Sequence, residues 1–553
     1  LVGSEMCIRD RDNYSDAFQR ESNRLDRAHL KNLKQLKPEL LSEANQLNLS
    51  LYRQQLESAI EEFKWRYHRY PVSHMTGIHT GVATVLIRLH RIETVDDAND
   101  YIKRLQSVTE LFDQLIDGLQ ARAEIGITAP KFVYQQAIEN SYGIIDGHPF
   151  AESGSVDSPL MADFNRKLEK LDITEPQKLQ LQSRAQQAML KSVGPAYGKL
   201  ITVLHDLQSQ AKVEGGAWTL PQGRAFYRHA LRQTTTTELN AEAIHRMGLT
   251  EVERIQAEMK AIIVQADYQG GLSDFFAYMQ TASEFFFPQT EQGKQAYIDE
   301  VERLISQMKT RLPEMFGVMP KVNILVKPVE PFREKASIGS AFYQPAAPDG
   351  SRPGVFYINT YDMSVMPKYT LPAVAYHEGI PGHHMQVSIA QELENVPQFR
   401  RAARYTAYAE GWGLYAELLP KEMGLYGDFY MDFGRLSAEL WRACRLVVDT
   451  AIHDKGWSRE RAINYLTDNS PTDREKAIKA VERYLVLPSQ ATAYKIGMSK
   501  ILELRQQAKH KLGDEFDVSE FHDMVLMNGA LPLNILEEII TQWIDQRLTA
   551  AES

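Results

Sequence analysis

From Tyr14 to about Leu312 apolar residues recur largely at three- and four-residue spacing with few strand signals between them, which commits this long stretch to amphipathic helices. The pattern predicts helices over Leu25 to Leu36, Leu51 to Tyr67, Val95 to Ala121, Lys167 to Ser192 and Ala241 to Ala266. Turn residues cluster at Gly143 to Ser158, Glu214 to Gly223 and Tyr268 to Ser273, where breaks are expected, and Thr234 to Thr237 forms a cap-rich lead into the Ala241 helix. The chain shows no internal repeat and no low-complexity linker. At 553 residues and 63.0 kDa it exceeds a single core and should form two domains or one large two-lobed body.

The character changes near Met315. Val322 to Val326 is a β-branched strand candidate, and Gly339 to Asn359 reads as two short strands around the turn-rich Pro345 to Gly354. Beyond residue 370 the pattern is helical to the end. The expected division is a non-native leader over 1–11, a helical lobe over 12–314 and a catalytic lobe with a short sheet over 315–553. The leader assignment rests on Leu1 to Arg11, which has no sensible periodicity and resembles an adapter-derived translation. On that reading the native start is missing and the lack of a signal peptide says nothing about compartment.

A formal net charge of −10 and a pI near 5.9 describe an acidic protein without the basic face of a nucleic-acid binder, so no nucleic acid is expected. No apolar run approaches the roughly 20 residues that span a bilayer. Two cysteines, Cys7 and Cys444, exclude a disulfide scaffold and a cysteine-based metal cluster.

Chemistry concentrates in Ala375-Tyr376-His377-Glu378-Gly379-Ile380-Pro381-Gly382-His383-His384-Met385-Gln386. In the short zinc-hydrolase motif His-Glu-x-x-His, one helical turn separates two ligand histidines while the Glu activates water. Here Pro381 occupies the fourth position after His377. His384 returns to the same helical face but about 10 Å further along the axis. Pro381 removes a backbone donor and its ring clashes with the His377 carbonyl, so the helix must bend or bulge. With Gly382 adaptable, a looped-out pair of residues brings His383 to the second ligand position. His377 and His383 are therefore the favoured ligands, with His384 as the alternative.

Two histidines leave one protein ligand of a zinc site unfilled. Glu410, a lone carboxylate among the apolar and aromatic residues of Tyr405 to Tyr415, is the candidate, and Glu417, two turns on, is the fallback. Glu378 is the expected general base, later passing the proton to the leaving amine. Oxyanion donors are sought on the helix Arg435 to Asp454, whose stripe Arg442, Arg445, Asp449 and His453 spaces a carboxylate one turn before an imidazole, and in Glu482 to Gly497, with Tyr484 and Tyr494 as phenols and Arg483 as a carboxylate anchor. An edge strand beside a metal can hold an extended peptide by backbone pairing, which makes Tyr357 and Asn359, with His384, Arg483 and Tyr484, the expected substrate contacts.

His377-Glu378 with Pro381-Gly382-His383 and Gln386, then Glu410-Gly411-Trp412, Asp449 to His453, and Glu482-Arg483-Tyr484 with Pro488, Gln490 and Tyr494 resemble the bacterial family catalogued as domain of unknown function 885, from about Tyr14 to the C terminus. That family looks like a distant branch of the zinc metallopeptidases that include angiotensin-converting enzyme, thimet-type oligopeptidases and the thermostable carboxypeptidase type. The resemblance implies a mainly α, two-lobed body with a deep central channel and a small β-sheet beside the metal. It also implies Zn2+ held with a Glu third ligand, matching Glu410, and His and Tyr oxyanion donors, matching His453 and Tyr494. The regular histidine of the family pattern is the first after Pro-Gly, which supports His383.

The expectation is thus a zinc-dependent peptidase acting on short peptides, with catalytic Glu378, His453 and Tyr494. The alternatives are an amidase or esterase with the same metal machinery and an inactive helical binding protein on the same scaffold. Family members commonly carry an export or lipoprotein leader, so the cell envelope is favoured over the cytoplasm. Oligomeric state is left open by the sequence.

Overall fold

The structure is a computed structural model that describes residues 13–151, 156–213, 215–330, 334, 341–347 and 352–552; the leader assigned to residues 1–11 lies outside them. The chain divides into two compact units, Leu1–Phe226 and Tyr227–Ser553. It is mainly α, with one three-stranded sheet among the described residues.

In the first unit the periodicity is realised most fully by Val95–Glu124, whose Ala98, Tyr101, Ile102, Leu105, Val108, Phe112, Leu115 and Leu119 are buried along one face. Thr94 and Asp97 close its N terminus reciprocally, Asp97 NH donating to Thr94 Oγ1 at 3.2 Å and Thr94 NH to Asp97 Oδ2 at 2.9 Å. The helix packs on Gly194–Gln210, where the Phe112 and Tyr197 rings meet edge to face at 4.7 Å. The single helix expected over Lys167 to Ser192 is instead two, Pro159–Leu168 and Glu175–Ala188, followed by a π-turn. Pro176 cannot sit in a helix interior, so the second helix starts around it, with Gln177 Oε1 accepting from Thr174 NH at 3.0 Å.

The helices that build the second unit's centre are α1 (Ala241–Gln265), α2 (Leu371–Glu378), α3 (His383–Gln391), α4 (Thr406–Glu422), α5 (Phe429–His453), α6 (Arg474–Val486) and α7 (Ala493–Leu512). Asn240 caps α1, its side chain accepting from Ala243 NH at 2.9 Å, whereas Thr235 of the expected lead closes the preceding helix, Gly223–Thr235. The strands fall near their expected places: β1 (Ile324–Pro328), β2 (Ala341–Gln344) and β3 (Gly354–Ile358). β3 is central, parallel to β1 and antiparallel to β2, which leaves β2 as one edge.

An ion network joins α1, α5 and α7. Glu439 and Lys495, 3 % and 1 % exposed, pair at 2.6 Å; Lys495 also meets Glu251 at 2.8 Å, Arg435 meets Glu439 at 3.1 Å, and Arg254 closes on Glu439 from α1. Burial alone would raise the Glu439 carboxyl, but Lys495, Arg254 and Arg435 bring it down to about 2. Its folded pKa lies below the ordinary 4.5, so the stability it contributes is present above about pH 4.5 and is lost as pH falls toward 2. Lys495→Ala, which removes one of the three cations around a buried carboxylate, should lower unfolding free energy by about 1.5–3 kcal/mol in chemical denaturation. Glu439→Gln should flatten the acid limb of the stability profile below pH 4.5; an unchanged limb would remove Glu439 from the account.

Candidate metal centre

α2 stops at Glu378 and α3 starts at His383, so the helix is interrupted outright where a bend or bulge was expected. Pro381 has no NH for the His377 carbonyl, and Gly382 lies so close beneath that carbonyl that a Cβ there would come within 2.0 Å of its oxygen. The four-residue turn is tied at both ends: His384 NH donates to Gly379 O at 3.1 Å and Gln386 NH to Gly382 O at 3.1 Å. From α4, Trp412 Nε1 donates to the Pro381 carbonyl at 2.8 Å.

This turn brings the His377 and His383 rings to 4.7 Å, nearly perpendicular at 84°. Glu410, one and a half turns into α4, reaches both: its Oε2 is 3.6 Å from His377 Nε2 and 3.6 Å from His383 Nε2. The three donor atoms lie within 4.8 Å of one another. A tetrahedral ion with ligand bonds of about 2.1 Å separates its ligand atoms by about 3.4 Å, which the two carboxylate–imidazole separations of 3.6 Å match closely. Two imidazoles and one carboxylate also leave a fourth position open, the donor set of a catalytic rather than a structural zinc.

The electrostatics favour a cation at this point. Burial opposes charge on His377, yet hydrogen bonds to Glu410 and Glu417 push it up to about 10. Burial likewise opposes charge on Glu410, and the two imidazoles hold it far below the usual carboxylate range. The carboxylates that hold this proton would offer the same negative field to a divalent ion, which would have to displace the proton to bind.

Glu417, the fallback ligand, has a different place. It is 2 % exposed and accepts from His377 Nδ1 at 2.8 Å, which fixes the tautomer and aims the Nε2 lone pair at Glu410. The signal was present in the sequence: Glu410 and Glu417 are seven residues apart and so share one helical face, reaching the two sides of one imidazole. His384 is not among the assembled donors. Its Nδ1 accepts from the Tyr343 hydroxyl at 3.0 Å and its Nε2 donates to Val322 O at 3.1 Å, joining α3 to the sheet region, and burial brings it down to about 4. Glu378 projects toward β2, where its Oε2 accepts from Tyr343 NH at 2.9 Å.

The remaining expected residues divide. Tyr494 is half-buried beneath Arg442 and Arg445, whose guanidinium carbons lie 5.7 and 4.9 Å from its ring centroid. Arg483 donates to Gln490 Oε1 at 3.2 Å, and the Tyr484 hydroxyl is buried without a partner. Tyr357 stacks on Phe342 at 5.2 Å, and the Asn359 amide donates to Glu334 O at 2.9 Å. His453 departs from its expected role: it has no exposed surface, its Nε2 lies 3.0 Å from the Tyr484 carbonyl, and its ring packs 5.0 Å from Tyr227. Asp449 does not orient it. Its Oδ1 accepts from the Tyr227 hydroxyl at 2.6 Å and Ser489 NH at 3.0 Å, and burial pushes it up to about 7. The lower end of the α5 stripe therefore points into a core.

The sequence profile of the family described as bacterial protein of unknown function, DUF885, matches residues 6–540. The chain belongs to that family. Among solved structures, a "putative lipoprotein" from Colwellia psychrerythraea is 32% identical with a TM-score of 0.88, over 98% of this chain and 93% of that one. A "putative lipoprotein" of unknown function from Shewanella oneidensis shares the fold at 18% identity and a TM-score of 0.74, over 95% and 93% of the two chains. A comparison with curated proteins finds no match. Among the described residues no helix is long and apolar enough to cross a membrane.

α4 approaches α2 so closely at Gly413 that a Cβ there would lie 2.7 to 3.0 Å from three atoms of the His377 ring. Gly413→Ala should displace that ring while leaving circular dichroism unchanged, and should weaken divalent-metal affinity by roughly tenfold or more, as loss of a ligand's supporting contact does. Undiminished affinity would show that the ring has room to move.

Proposed function

We propose that this chain is a zinc-dependent hydrolase that cleaves peptide bonds in short peptides. The observation that carries the reading is the donor set of His377, His383 and Glu410 at tetrahedral spacing, with Glu378 directly following the first ligand in the chain. Zinc bound there supplies Lewis acidity, polarising the scissile carbonyl and lowering the pKa of water. Glu378 takes the proton from the attacking water and later delivers it to the leaving amine. Glu417 keeps Nε2 of His377 free by holding the proton on Nδ1. Tyr494 is the donor assigned to the developing oxyanion, because His453 has no surface to offer a substrate. The β2 edge, to which Glu378 is already bonded, is suited to pair with an extended peptide backbone. The envelope is the proposed setting, supported by the description of the Colwellia relative.

Metal analysis should return one zinc per chain for wild type and for His384→Ala, and substantially less for His377→Ala, His383→Ala and Glu410→Ala. Glu378→Gln should retain zinc while kcat on short peptides falls by about 10²–10⁴. Retained zinc in the three ligand variants would sink the site. Zinc at one per chain with a broad panel of short peptides left intact would redirect the reading to an amidase or esterase of small molecules.

A further inference from the structure

The half-buried section of the α5 stripe at Arg442 and Arg445 carries more positive charge than its surroundings neutralise. Arg442 Nη2 is 4.0 Å from Glu417 Oε1, but Glu417 is already engaged by His377. Arg445 lies over Tyr494 and, at 5.9 Å, over Tyr484, and forms no ion pair among the described residues. Arg483, on α6, is bonded to the neutral amide of Gln490, while the neighbouring Glu482 is taken by Arg459 at 2.6 Å. Lys476, one helix end away, has no ion-pair partner among the described residues. Its side chain is exposed, and its charge is felt by Arg442 and Arg445 and, with the opposite sign, by Asp473. The Nε atoms of Arg442, Arg445 and Arg483 and the hydroxyl of Tyr484, a side chain only 2 % exposed, are buried with no hydrogen-bond partner.

Two half-buried guanidiniums over Tyr494, one of them also over the buried hydroxyl-bearing ring of Tyr484, are costly unless an anion completes them. Arginine forks and phenol hydroxyls suit a planar, bidentate acceptor. The group also adjoins the metal centre: Arg442 approaches the carboxylate that supports His377, and Arg445 feels the field of Glu410.

We propose that Arg442, Arg445, Lys476 and Arg483, with the hydroxyls of Tyr484 and Tyr494, form a carboxylate-binding subsite that takes the free C-terminal carboxylate of a short peptide. This assignment of substrate class rests on the peptidase reading above. It makes the chain selective for peptides whose scissile bond lies close to a free C terminus, and it leaves Tyr494 serving both the carboxylate end and the reacting carbonyl.

The test is calorimetric binding to the zinc-loaded full chain carrying Glu378→Gln, so that turnover does not consume the ligand. Trialanine and its C-terminal amide are the probes, with inorganic phosphate as competitor. Trialanine should bind at least about tenfold more tightly than the amide, a difference of about 1.4 kcal/mol. Arg445→Gln should abolish that preference, and the exposed Lys476→Ala, which does not threaten folding, should reduce it, with zinc content unchanged in both. Equal affinity for acid and amide, or no measurable binding of either, overturns the subsite. Displacement of trialanine by phosphate at comparable concentration overturns the carboxylate assignment. Acid-selective binding by a chain whose wild type cleaves no peptide keeps the subsite and removes the peptidase reading.

Discussion

The close approach of α4 to α2 is the constraint on which the candidate centre depends. At Gly413 the helix surface lies directly against the His377 ring, and no side chain fits between. The ring is therefore held as part of the interface, with Glu417 fixing one nitrogen and Glu410 facing the other. Both carboxylates come from one helix because seven residues bring a side chain back to the same face. α2 itself needs to supply only His377 and Glu378 before it ends. The second imidazole comes from the start of a new helix, and the turn between them is pinned by Trp412 of α4. One helix thus supplies the third candidate ligand, the support of the first and the clasp on the turn.

The charges of the second unit are sorted by what they face. Glu439 is surrounded by cations and stays ionised far into the acid range, so its network acts as a structural tie between α1, α5 and α7. Asp449, ten residues along α5, meets a phenol and a backbone NH but no cation, and its carboxyl moves the opposite way. Between these two sites on the helix sit Arg442 and Arg445, cations with almost no counter-charge. A single helix thus passes from paired charge, to weakly paired cation, to near-neutral core over three turns or so, and the middle section is the one beside Glu417.

What the sequence revealed follows the range of the interactions involved. The clustering of His377, His383 and Glu410 was legible because Pro381 and Gly382 dictate a local break, and because Glu410 is a lone carboxylate among apolar and aromatic neighbours. The helices of Val95 and Ala241 were legible because their faces repeat over several turns. The break at residue 169 was hidden, since Pro176 disrupts a periodicity that continues on both sides of it. His453 was misjudged because spacing along one helix places a carboxylate near an imidazole, whereas the partners that decide are Tyr227 and Ser489, far away in the chain. The supporting role of Glu417 lay in its seven-residue spacing from Glu410, but only the distance to Nδ1 separates a support from a ligand.

Two adjacent histidines after Pro-Gly have separate partners, and helix geometry explains why. Successive residues on a helix diverge by about 100°, so His383 and His384 cannot face the same ion. His383 turns toward Glu410, and His384 turns toward Tyr343 and the Val322 carbonyl. Tyr343 in turn gives its backbone NH to Glu378. The carboxylate assigned as base is therefore positioned through the edge strand, and the edge strand is positioned through the second histidine. On the proposed reading, a peptide paired along β2 would align against the same strand that holds Glu378, which would link the holding of the substrate backbone to the orientation of the base.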